Sequence, residues 1–98
     1  LFEFHQEALR EIDDAESYLE TEAPHIVQDF RIAVKATLER IRIDPDSYPR
    51  LSGNYRSLQV ARFPYLIWFR SIDESSIAVV AFSHTSRRPG YWKNREPG

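Results

Sequence analysis

The sequence predicts an α+β fold of order β-α-α-β-β-β, a helical hairpin packed on one face of a small, mainly antiparallel sheet. Three observations predict it. Two stretches of helical periodicity follow one another in the first half, broken only near Pro24. Three short runs rich in β-branched and aromatic residues then fill the second half. The most apolar of them, Ile77 to Phe82, holds no charge. A run that short reads as a strand buried on both faces.

The elements follow in order. Leu1-Phe2-Glu3-Phe4 alternates and reads as a short first strand. From Gln6 the spacing becomes helical: Ala8, Leu9, Ile12, Ala15, Leu19 and Ala23 share one face, with Glu7, Glu11, Asp14 and Glu22 turned outward. His5 stands where a cap belongs. Glu16 and Glu20, four apart, repel each other slightly and invite a cationic partner. Pro24 suits the first turn of a second helix, since its missing N–H costs nothing there. Ile26, Val27, Phe30, Val34, Leu38 and Ile41 form that helix's stripe, which should end before Pro45. The helices are thus expected near residues 6–23 and 24–43, joined as an antiparallel hairpin. His25 reads as solvent-facing.

Asp44 to Gly53, with two prolines and a glycine, reads as a loop. Arg56 to Phe63 alternates, with Arg56, Leu58, Val60 and Arg62 on one side. Tyr65 to Ser71 is the next strand. Asp73-Glu74-Ser75 turns the chain into Ser76–Ser83, the strand expected at the centre of the sheet. Beyond it the chain becomes abruptly polar and cationic, with Arg87, Arg88, Lys93 and Arg95 around a Tyr91-Trp92 pair expected to be exposed.

At 98 residues the chain is expected to form one domain, 1–98, with a single modest core. It contains no cysteine, which removes disulfides, thiolate chemistry and zinc sites of the cysteine type. It contains no methionine either, so Leu1 is not expected to be the native start. No stretch approaches the roughly 18 apolar residues of a membrane helix. The net charge of −2 hides a division: residues 1–49 carry a balance of −7 and residues 50–98 a balance of +5. Surfaces of opposite sign bear on partners rather than on fold.

The order of elements and four segments resemble the RelE/ParE family of bacterial toxins from type II toxin–antitoxin modules. The segments are Phe4-His5-Gln6-Glu7-Ala8, Pro45 to Leu51, Arg62-Phe63-Pro64-Tyr65, and His84 to Trp92, the last most like ParE-type members. The resemblance spans almost the whole chain and implies a cytoplasmic, growth-inhibiting toxin held inactive by a cognate antitoxin in a hetero-oligomer. It leaves the target open. ParE-like members inhibit DNA gyrase, whereas RelE-like members cleave messenger RNA on the ribosome; an inactive interaction module of the same fold is a third possibility.

Ribonuclease action requires a base, an acid and cations for the phosphorane charge. Arg62, Arg87, Tyr91 and His84 are the candidates for that chemistry, metal-independent if it occurs. RelE-like members carry an arginine on the middle strand of the meander; the matching position holds Leu66, and the chain has only two lysines. The gyrase reading is therefore preferred, with no catalytic residue assigned. Arg56, Arg62, Arg87, Arg88, Tyr91, Trp92 and Lys93 are the candidates for binding target or antitoxin, Arg, Tyr and Trp being common in interface hot spots. A flexible antitoxin segment is expected to cross from the helical hairpin to Arg87–Trp92, with Trp92→Ala weakening it more than Arg95→Ala. The histidines at 5, 25 and 84 lack metal-ligand spacing, and three glycines cannot build a phosphate loop. No metal or cofactor is expected.

Overall fold

A computed structural model describes residues 1–95; the last three residues of the expected 1–98 domain lie outside them. The chain runs β1 (Phe2–Phe4), α1 (Gln6–Glu22), a 3-10 turn (Pro24–Ile26), α2 (Val27–Ile43), a second 3-10 turn (Pro45–Ser47), β2 (Arg50–Ser52), β3 (Tyr55–Gln59), β4 (Tyr65–Ser71) and β5 (Ile77–His84). The five strands form one sheet in the order β1-β5-β4-β3-β2. All pairs are antiparallel except β1 with β5. The α+β architecture is the expected one, with β2 added where a loop was expected. β4 rather than β5 lies at the geometric centre, although β5 is paired on both sides.

Local chemistry sets the helix ends. The His5 Nδ1 accepts the Glu7 N–H at 3.0 Å, satisfying one of the free donors of the first turn of α1. Pro24 opens the 3-10 turn and α2 begins at Val27. Arg31 of α2 reaches across to Glu16 at 2.7 Å and Glu20 at 3.2 Å. The cation that this acidic pair invites is thus internal. Leu9, 47% exposed, lies off the buried stripe because its position is rotated about 100° from Ala8.

The core divides at the sheet. On the helix side Phe30 meets the rings of Phe63, Tyr65 and Phe82 edge-on at 5.3, 5.8 and 6.0 Å. Ile77, Val79, Ile67 and Phe69 belong to the same cluster. On the other side Trp68, Ala78, Val80 and Ala81 pack with Trp92. Trp92 stacks on Trp68 with ring centroids 4.0 Å apart and is fully buried. The pair Tyr91-Trp92 is therefore not an exposed one: the tail folds back over the face that the helices leave open. Trp68 donates its indole N–H to Ser83 at 3.2 Å.

Two further expectations change at the β3–β4 junction. β3 ends at Gln59, not at Phe63. Arg62 stands in the turn with φ 70°, a left-handed conformation uncommon for a side chain other than glycine, asparagine or aspartate. Arg56 does share a face with Leu58, but its side chain is only 11% exposed. It donates to the Tyr48 carbonyl at 2.7 Å and pairs with Asp46 at 3.6 Å, holding the segment before β2 against the sheet. Trp92→Ala should cost about 3–5 kcal/mol of stability, the range for losing a large buried aromatic. Denaturant unfolding measures it; a loss under about 1 kcal/mol would mean that the tail does not close the sheet.

Candidate functional site

β1 stops at Phe4, so the upper part of β5 has no strand on that side. β5 also carries an inserted residue: Trp68 faces Ala81 and Phe69 faces Val79, leaving Val80 unmatched. Such a bulge flips the alternation of the strand. Val80 and Ala81 accordingly pack on the same face, and the Val80 carbonyl and Phe82 N–H turn out to the uncovered edge. A buried edge group without a partner is costly.

Two side chains supply the partners. Glu11 of α1 accepts the Phe82 N–H at 3.1 Å, and Arg95 donates to the Val80 carbonyl at 3.1 Å. Glu11 and Arg95 also bind each other as a fork, at 2.8 and 3.3 Å. Tyr91 donates its hydroxyl to the second Glu11 oxygen at 2.9 Å. The Arg87 guanidinium lies 3.5 Å from the centre of the Tyr91 ring and 3.6 Å from Glu11, and Arg95 lies 4.9 Å from the same ring. Glu11 and Arg95 are 15% and 17% exposed, whereas Arg87 is half-exposed. Burial, then the hydrogen bond to Glu11 and its charge, push the Tyr91 hydroxyl up to about 12, with Arg87 and Arg95 opposing.

The turn between β5 and this cluster is built locally. His84 Nδ1 accepts the Ser86 N–H at 3.0 Å and meets the Ser86 hydroxyl at 2.8 Å. Gly90, at φ 102°, makes the left-handed step before the chain reaches Trp92. Beside His84, at the start of β4, two adjoining hollows of about 510 and 560 Å³ share Ile26, Arg62 and Phe63. Asp29, Ile32 and Ala33 line one; Tyr18, Tyr65 and His84 line the other. Ile32 and Tyr18 are 58% and 61% exposed, an apolar rim on the helical hairpin.

A family model for the ParE toxin of the type II toxin–antitoxin system parDE matches residues 2–89. The chain belongs to the ParE toxin family. It is thus the toxin component of a type II module, and a cognate antitoxin is its partner. The toxin's fold is similar to a solved structure titled as the chromosomal ParDE toxin–antitoxin system from P. aeruginosa. The two share 13% identity at a TM-score of 0.70, covering 85% of this chain and 92% of the other. None of the curated proteins compared with the toxin matches it. Among the described residues no helix is long and apolar enough to cross a membrane.

The candidate residues of the toxin separate by accessibility. Arg62 and His84 meet in the groove, and Arg87 and Tyr91 meet at Glu11. Arg88 and Lys93 are exposed on the tail. Trp92 and Arg56 are held inside the fold, the first by its stack on Trp68 and the second by Tyr48 and Asp46, so neither presents its side chain to a partner. Trp92→Ala consequently reads stability rather than an interface, and Arg95 is a buried anchor rather than a rim charge. Glu11, expected to turn outward, was the residue missed as the partner of Arg95. The signal for Glu11 was its position three residues from Ala8 and four from Ala15, both buried, on the edge of the helix's inner stripe.

Tyr91 gives a direct test of the cluster. Its folded pKa lies above the ordinary value near 10, so its contribution to stability is complete below about pH 10. That contribution is lost as pH rises toward about 12. In a spectrophotometric titration Tyr91 should ionise among the last of the five tyrosines, and Tyr91→Phe should remove a late step. A titration in which that variant loses only a step near pH 10 would contradict the burial and the bond to Glu11.

Proposed function

We propose that this toxin inhibits DNA gyrase in the cytoplasm through protein–protein contact, without hydrolytic chemistry of its own. The observation that carries the reading is the state of Tyr91. A ribonuclease tyrosine must exchange a proton with substrate or water, whereas this hydroxyl is committed to Glu11 and held near about 12. Arg87 is stacked on the same ring rather than pointed at an open reaction centre. What remains accessible is a set of cations, Arg62, Arg88, Lys93 and the outer half of Arg87, suited to steering and registering an acidic protein surface.

The antitoxin takes the apolar groove in this reading. Ile32, Tyr18 and Phe63 offer anchors for a partner helix, and Arg62 and His84 at its rim lead toward the tail. A segment seated there and continuing past His84 covers the cations as it binds, which couples capture to silencing.

Induction without antitoxin should produce filamentation and a DNA-damage response, and the purified toxin should inhibit supercoiling by gyrase. Arg88→Glu with Lys93→Glu should weaken inhibition about tenfold, mainly through slower association and with a reduced salt dependence. Rapid translation arrest with cut transcripts would overturn the reading in favour of a ribosome-dependent ribonuclease. In that case alanine variants of Arg62, Arg87 and Tyr91 would lose cleavage.

A further inference from the structure

We propose that Glu11 is the positioning residue of the toxin's basic surface: one carboxylate on α1 fixes the cationic tail in the conformation that meets the target. The inference rests on the reading that the tail cations contact the target. Its geometric basis does not.

Among the described residues, the bonds that anchor the segment after Pro89 to the uncovered edge of β5 pass through Glu11 or through Arg95, which Glu11 holds. The first oxygen of Glu11 receives the Phe82 N–H and the Arg95 guanidinium, and the second receives Tyr91 and the other Arg95 nitrogen. Arg87 joins from above the Tyr91 ring. Four groups of the second half of the chain thus converge on one side chain from the first helix. Arg88 sits one residue from Arg87, and Lys93 lies between Trp92 and Arg95. Their positions in space are therefore set by anchors on either side. Two exposed lysine or arginine side chains on a free tail would lose considerable conformational entropy on binding. Held in place, they have already lost part of it.

Glu11 and Arg87 lie within the family-matched residues, whereas Tyr91 and Arg95 lie beyond Pro89, where the match ends. The clasp is consequently not one that the family match supplies. Trp92 remains a separate anchor on the sheet face, so removal of Glu11 loosens the tail without uncovering Trp68.

The test uses the full chain and three variants, Glu11→Ala, Glu11→Gln and Arg10→Ala as a neighbouring control. Limited trypsin digestion reads the tail directly, because Arg87, Lys93 and Arg95 are cleavage sites, whereas the Arg88–Pro89 bond resists the enzyme. Glu11→Ala should speed cleavage in the tail at least about tenfold, since opening becomes easier by more than one charge-assisted hydrogen bond. Cleavage at Lys35 and Arg40 in α2 should stay at the wild-type rate, which separates tail release from global unfolding. Glu11→Gln keeps one acceptor oxygen, enough for the Phe82 N–H or the Tyr91 hydroxyl but not for both, and should fall between the two. Growth arrest on induction should weaken in the same order, and Glu11→Ala combined with Arg88→Glu should cost no more than the worse single change. Tail cleavage in Glu11→Ala within twofold of wild type would overturn the proposal. So would released tails with full growth arrest. Growth arrest that persists while supercoiling is untouched refutes gyrase as the target and leaves the Glu11 comparison standing.

Discussion

The stack of Trp92 on Trp68 closes the face of the sheet that the helices leave bare. β5 is apolar on both sides, and a sheet with such a strand requires two covers. The helical hairpin supplies one through Phe30, Ala8 and Leu19. Among the described residues no third layer of regular structure covers the other face; a short irregular tail does so with the Trp92 ring. The tail's path, the exposure of its cations and the burial of its aromatics all follow from that requirement.

Ring stacking fixes where the tail lies but not how it is oriented at the sheet edge. That is decided by Glu11. A carboxylate only 15% exposed is expensive to desolvate, and it persists because four donors surround it. Removal of Glu11 would leave Arg95 and the Phe82 N–H without their acceptor, so the loss exceeds the worth of any one bond. The Tyr91 hydroxyl is raised first by its own burial and then by this carboxylate, beside which a neutral donor is favoured over a second anion.

Most of the fold was legible in the sequence because period 3.6 and period 2 separate cleanly here. Both helices, the last two strands and the Asp73-Glu74-Ser75 turn lie where the patterns place them. The misreadings have particular causes. Arg50-Leu51-Ser52 is too short to show alternation between Pro49 and Gly53, and its pairing with β3 is a tertiary effect. The alternation of β3 runs on through Arg62 in letters although the backbone has already turned at Ala61. Trp92 reads as exposed because Lys93, Asn94 and Arg95 surround it in sequence, while its true neighbour, Trp68, is on β4. Glu11 and Arg95 are 84 residues apart, and no local pattern links them. The expected exposure of the Tyr91-Trp92 pair was thus a misreading, since Trp92 is buried.

The parallel pairing of β1 with β5 and the bond between Glu11 and Arg95 join the two ends of the chain. Contacts of such long range form late, since the loop-closure entropy must be overcome before they return anything. During synthesis the helical hairpin emerges first, and the tail is still inside the ribosome when Glu11 is already in solution. The tail therefore meets Glu11 only after the helical hairpin has been made. The order of synthesis itself thus separates the helices that line the groove from the tail that later closes the sheet.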